Sequence, residues 1–110
     1  MKQFTGIGFV GADAQVKEVK DKKVINFNIG ISDNKKNSEG EKSSTTTWVE
    51  CSIWREKDKD KISTYIKKGK HVFIQGDIEV SAYLPKDSSE PRGVLHVNVD
   101  EIEFLDKAAE

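Results

Sequence analysis

Cysteine, histidine and long apolar runs are scarce in this chain, and each scarcity closes off a class of function. Cys51 is the only cysteine, so neither an intramolecular disulfide nor a cysteine-based zinc site can form, which fits a reducing interior. The two histidines, His71 and His96, fall in separate strand-like segments without an evident nucleophile or a metal-ligand spacing. Both read as ordinary strand residues, so no catalytic site, metal or cofactor is expected. No apolar stretch is long enough to span a membrane, and Met1-Lys2-Gln3-Phe4-Thr5 lacks the apolar run of a signal peptide. The expectation is a soluble, cytoplasmic protein with no membrane partner. An excess of one charge is missing too: 18 Lys and Arg stand against 19 Asp and Glu, a formal net charge of -1. That removes the simplest sign of a nucleic-acid ligand, a strongly basic chain, and leaves only local segregation of charge. Segregation is visible, because from Asp100 to Glu110 the chain carries Asp100, Glu101, Glu103, Asp106 and Glu110 against Lys107 alone. The remainder is net basic.

What is present suits one small β-domain. In 110 residues a second core would leave neither half with enough buried surface, so a single unit is expected over residues 1–105, with 106–110 a short C-terminal extension. Residues 3–10 and 14–20 suggest one long coiled strand, bending at Gly6, Gly8 and Gly11. In the next segment, Ile25, Phe27, Ile29 and Ile31 alternate with Asn26, Asn28 and Gly30, the mark of a half-buried strand. Residues 33–46 hold no apolar side chain and read as a mobile loop able to reach over a ligand. In the third strand Val49, Cys51 and Ile53 share one face, and Trp48, Glu50, Ser52 and Trp54 share the other.

A short helix follows, capped by Asp58 or Asp60, carrying Ile62, Tyr65 and Ile66, and closed by Lys67 and Lys68 before Gly69. Residues 71–81 form a fourth strand with Val72, Ile74, Ile78 and Val80 on one face, and residues 84–93 form a second hairpin loop. The last strand packs Leu95, Val97 and Val99 inward, then slips register so that Ile102 and Phe104 do so. Three strands, a short helix and two strands give the connectivity of the oligonucleotide-binding (OB) fold, an all-β, five-stranded Greek-key barrel. Gly6-Ile7-Gly8-Phe9-Val10-Gly11 also fits G-x-G-x-x-G, but a dinucleotide site needs a helix after the glycines, and here a strand follows.

Trp48 and Trp54 carry the functional expectation. They are six residues apart on the face opposite the core set, and two exposed indoles are costly unless they meet a partner. Bases of a single strand are such partners, since stacking on an aromatic contributes about 1–3 kcal/mol per base whatever the sequence. The competing reading buries one or both indoles beneath a loop or in a subunit interface. Tyr83 is a candidate third platform, though a tyrosine at a strand end more often serves packing.

These segments together resemble the bacterial single-stranded DNA-binding protein family over nearly the whole chain. Gly8-Phe9-Val10-Gly11 is similar to that family's first strand, Ile25-Asn26-Phe27-Asn28-Ile29-Gly30 to its second, and Thr47-Trp48-Val49-Glu50-Cys51-Ser52-Ile53-Trp54 to its third. Tyr65-Ile66-Lys67-Lys68-Gly69-Lys70-His71-Val72-Phe73-Ile74-Gln75-Gly76 is similar to its helix end and fourth strand. The resemblance implies base stacking on Trp48, Trp54 and Tyr83, phosphate contacts from Lys17, Arg55 and Lys68, and a homotetramer or dimers of it. It implies sequence-tolerant binding of single-stranded DNA during replication, recombination or repair, without catalysis. Three departures stand out. No tryptophan occurs among Asp33, Asn34, Lys35 and Lys36; the stretch after Gly76 is acidic, with Asp77 and Glu79; and the family's polar linker and acidic tip, which recruit replication and repair proteins, have no counterpart before Glu110. Two alternatives remain open: a primosome-type accessory protein of the same fold acting mainly through protein partners, and an RNA- or tRNA-binding accessory domain.

Overall fold

A computed structural model describes residues 2–36, 38–40, 42–84, 86–87, 90 and 92–106. Its strands are β1 (Gln3–Val10), β2 (Gln15–Val19), β3 (Lys22–Lys36), β4 (Lys42–Glu56), β5 (His71–Tyr83) and β6 (Arg92–Phe104), with a single 3-10 turn, Lys61–Tyr65, between β4 and β5. The sheet runs β1-β5-β6-β4-β3-β2, and β1 also pairs with β3, so the strands close on themselves. Six segments make five barrel strands because β1 and β2 are successive halves of one bent strand, both antiparallel to β3. All neighbours are antiparallel except β4 and β6. This is the connectivity of the OB barrel.

Alternation decides what fills the barrel. Ile25, Phe27 and Ile29 from β3, Val49, Cys51 and Ile53 from β4, Val72 and Ile74 from β5, and Val97 and Val99 from β6 form the buried cluster. Each fully buried branched side chain contributes about 1.5–3 kcal/mol relative to exposure. Closure needs two close approaches. At Gly8 a Cβ would lie 2.6 Å from the carbonyl oxygen of Gly30, where β1 crosses β3. At Gly76 a Cβ would run into the carbonyl oxygen of Asn98, beside the irregularity where Gln75 pairs with Glu101 but Gly76 with Val99. Asp100 is thus the extra residue, and it produces the register slip expected from the sequence of the last strand. Gly6 and Gly8 lie within β1 and Gly11 just beyond it, with β2 rather than a helix following, so no dinucleotide site is formed.

Three local expectations are corrected. Residues 33–46 are mostly paired, not looped: the β3–β4 ladder continues through Asp33↔Thr45 to Lys36↔Lys42, leaving a turn that includes Gly40 at φ +82°. Backbone ladder bonds extend a hairpin beyond the core without apolar burial, and the threonines of 45–47 favour extended chain. Asn37 and Glu41 lie outside the described residues. The expected short helix is present as the 3-10 turn Lys61–Tyr65, but its expected cap is not. Asp60 makes no side-chain cap there and instead accepts a charged hydrogen bond from Lys23 Nζ at 3.1 Å. Beyond the turn, Ile66 plugs the barrel end, fully buried, and Gly69, at φ +90°, donates its N–H to the Val10 carbonyl at 2.8 Å. The second expected loop, 84–93, is shorter at its far end, because β6 already begins at Arg92 and Gly93 pairs with Ala82; Pro85, Ser88, Ser89 and Pro91 lie outside the described residues. So do 107–110 of the expected extension.

Gly76→Ala is expected to destabilise the barrel by about 2 kcal/mol or more, because the obstacle is backbone that cannot turn aside; urea unfolding of the two proteins measures it. Burial, with a smaller push from the Glu50 carboxylate, raises the Cys51 thiol from 9.0 to about 12. Native Cys51 should therefore resist iodoacetamide at pH 8 while the urea-unfolded chain reacts. Stability should fall as pH rises from 9.0 towards about 12, where the unfolded thiol ionises and the native one does not.

Candidate nucleic-acid interface

Because β4 turns Val49, Cys51 and Ile53 into the barrel, its alternate residues must face out. Trp48 and Trp54 are 55% and 48% exposed, about 20 Å apart along the strand at the usual rise per residue. Burial beneath a loop is thereby excluded for both. Each indole has a distinct seat. Trp48 stands opposite Gly30 on β3, and a Cβ at Gly30 would lie 3.2 Å from its Cζ3 and Cη2. At Gly11 a Cβ would come within 2.6 Å of Cζ3. Two missing side chains thus let the six-membered ring lie close over the sheet. Trp54 stands opposite Val24, which in turn stands opposite Lys17 on β2. Val24 belongs to the outward register yet is only 6% exposed, sheltered in the row between a lysine stem and an indole.

The remaining expected residues are placed unequally. Tyr83 ends β5, 54% exposed, in the outward register that contains Asp77 and Glu79. Lys17 is exposed in the row of Trp54. Lys68 is exposed in the turn after Ile66, and its backbone N–H donates to Asp13 Oδ1 at 2.9 Å, holding it beside the β1–β2 elbow. Arg55 is not brought to this face: it lies in the alternate register of β4, opposite Lys23, and its Nη1 donates back to the Trp54 carbonyl at 3.3 Å.

Between the indoles lies a set that reading the sequence passed over. Glu50 and Ser52 are the outward residues of β4 there, opposite Asn28 and Asn26 on β3 and His96 and Asn98 on β6. The Ser52 hydroxyl donates to Asn26 Oδ1 at 2.8 Å and lies 2.8 Å from His96 Nε2. The Ser52 hydroxyl thus bridges Asn26 on β3 and His96 on β6. A cavity of about 450 Å³ opens here, bordered by Asp13, Asn26, Glu50, Ser52 and His96. The alternation that placed Asn26 and Asn28 outward was the available signal for it. Glu79 stands opposite His96 on the other side of β6, so carboxylates rather than lysines border the middle of the face.

The single-strand binding protein family model matches residues 1–105. The chain belongs to that family. A single-stranded DNA-binding protein of Chlamydia pneumoniae is 38% identical over 98 residues, covering 88% of this chain and 57% of that protein. A mitochondrial single-stranded DNA-binding protein of Rattus norvegicus is 30% identical over 110 residues, covering 94% of this chain and 72% of that protein. The chain thus spans a little over half the length of the Chlamydia relative. Among solved structures, a Plasmodium falciparum SSB in complex with ssDNA is similar with a TM-score of 0.74 at 23% identity, covering 96% of both chains. A small single-stranded DNA-binding protein from Streptomyces coelicolor gives 0.69 at 13% identity, covering 93% of this chain and 92% of that one. At these identities the structural likeness establishes the shared barrel.

For this family member the glycine seat beneath Trp48 has a direct test. Gly11→Ala should push the indole outward, since the ring edge is free to swing while the strands are not. A changed tryptophan emission spectrum with a stability loss below about 1 kcal/mol is expected.

Proposed function

We propose that this protein binds single-stranded DNA with little regard to sequence, protecting it and keeping it unpaired during replication, recombination or repair. The observation that carries the reading is the pair of half-exposed indoles, Trp48 and Trp54, on one strand of an OB barrel in a member of the single-strand binding protein family. Bases stack on these two rings and on Tyr83, while Lys17 and Lys68 neutralise phosphates at the edges of the face. Arg55 is the least favourably placed of the expected contacts, because its guanidinium turns back to its own strand. The work is binding, without catalysis, and is done by residues 1–105 in the cytoplasm, with 106–110 a short extension. The protein assembles as a homotetramer or dimer; half-exposed Ile7 and Phe9 on the outward register of β1 support a second copy packing there. Replication and repair proteins are the partners that the family resemblance suggests.

Titration with poly-dT should quench tryptophan emission, and Trp48→Ala or Trp54→Ala should each weaken binding roughly 5- to 150-fold, the equivalent of about 1–3 kcal/mol per stacked base. The log-log dependence of affinity on salt should have a slope of roughly -0.7 per phosphate neutralised. Absence of quenching at low salt overturns the reading.

A further inference from the structure

The lysines of the β2–β3 hairpin are sorted by register. Lys23, on the alternate register opposite Glu18 and Arg55, is answered within the fold by Asp60 at 3.1 Å, and Glu18 is answered by Lys57 at 2.9 Å. Lys17 and Lys22 belong to the outward register of Val24 and Trp54. Both are exposed and have no ion-pair partner among the described residues. The face that carries the indoles therefore continues past Trp54 onto this hairpin. The row of Trp54 holds Val24 and Lys17, and the next row, about 7 Å further along, holds Glu56, Lys22 and Val19.

At the tip, Lys20 is the residue that the backbone least favours. It is the one non-glycine with a positive φ among the described residues, at +55°. It takes the first of the two turn positions between Val19 and Lys22, and Asp21 in the second has no positive φ. Glycine ordinarily fills that first position, because a Cβ is crowded there. Gly40 and Gly69, the other described residues with positive φ, are glycines. Lys20 is exposed and has no ion-pair partner among the described residues. Backbone strain that neither packing nor an ion pair offsets is characteristic of residues that serve a ligand.

We infer that Lys20 and Lys22 extend the phosphate track of Lys17, so that the backbone of a single strand stacked on Trp54 leaves the barrel along the tip of the β2–β3 hairpin. This rests on the single-stranded DNA reading and refines it by giving the strand a direction of exit. Lys17, Lys20 and Lys22 outnumber Glu56 and Asp21, the acids of this end, whereas the middle of the face holds Glu50, Asp77 and Glu79. A phosphate is drawn to the hairpin in preference to the middle. Glycine at position 20 would relax the turn and forfeit the cation, so the lysine trades stability for binding.

The test measures oligo-dT binding by tryptophan quenching over a range of salt, together with urea unfolding, for the unaltered protein and for Lys20→Gly, Lys20→Gln, Lys20→Arg and Lys22→Gln. In Lys20→Gly the urea midpoint should rise, while affinity at low salt falls about three- to tenfold and the log-log salt slope becomes shallower by about 0.7. Lys20→Gln should show the same loss of affinity and slope without the gain in midpoint, and Lys20→Arg should keep both affinity and slope. Lys22→Gln should make the slope shallower by a similar amount. An unchanged slope in Lys20→Gly and Lys20→Gln overturns the exit track, since the lysine then only solvates the tip. A Lys20→Gly protein no more stable than the unaltered one removes the strain that singles Lys20 out and overturns the assignment as well. Failure of the unaltered protein to quench at low salt would instead overturn the DNA-binding reading beneath it.

Discussion

The two-residue period of β4 is the constraint on which the rest depends. Val49, Cys51 and Ile53 are almost wholly buried, and rotating the strand to bury its tryptophans would bring Glu50 and Ser52 into the barrel with them. A one-residue slip moves every side chain of a strand to the other face, and an unpaired carboxylate among the buried isoleucines and valines has no compensating partner. The exposure of the indoles is therefore a consequence of how the core is packed, not a local accident of the surface. The barrel then supports what it exposes. Gly30 and Gly11 leave room beneath Trp48, and the elbow carrying Gly11 is tied by the Gly11 N–H to the Asn28 carbonyl and by Ala14 N–H to the Ile66 carbonyl.

Sequence reading succeeds here where periodicity is the signal. The inward sets of β3 and β4 and the slip at Asp100 are all visible as alternation or its interruption, because a closed barrel gives each position one of two environments. It fails where hydrogen bonding proceeds without burial. The arm from Asp33 to Thr46 has no apolar residue to mark a period, yet its strands continue in ladder register to Lys36 and Lys42. The short helix is a 3-10 turn in which Ile62 packs against the core, and Ile66 reaches the core just beyond it, with ψ at 86°. Asp60, read as a cap, answers Lys23 from β3, a pairing across 37 residues that no local pattern announces.

The site was legible in the same uneven way. The indoles could be read because they interrupt a clean alternation. The polar group of Asn26, Ser52 and His96 could not be, because it joins three strands and depends on a parallel β4–β6 register that follows only from barrel closure. Arg55 shows the converse. Adjacent in sequence to Trp54, it belongs by parity to the other register, so nearness along the chain misleads where alternation does not.

Charge placement then explains how a protein of net charge -1 can present a surface suited to a polyanion. The acids Glu50 on β4 and Asp77 and Glu79 on β5 occupy the middle of the outward face, and Lys17 on β2 and Lys68 after Ile66 stand away from it. Separation of this kind is most effective over short distances, since the Debye length at physiological salt is about 8 Å. Strand neighbours are about 4.8 Å apart, so the field of Glu50 is strong at His96 on the adjacent strand and weaker at Lys17, two strands away on β2. A polyanion approaching Lys17 is therefore attracted there with little opposition from the carboxylates, an attraction that salt weakens.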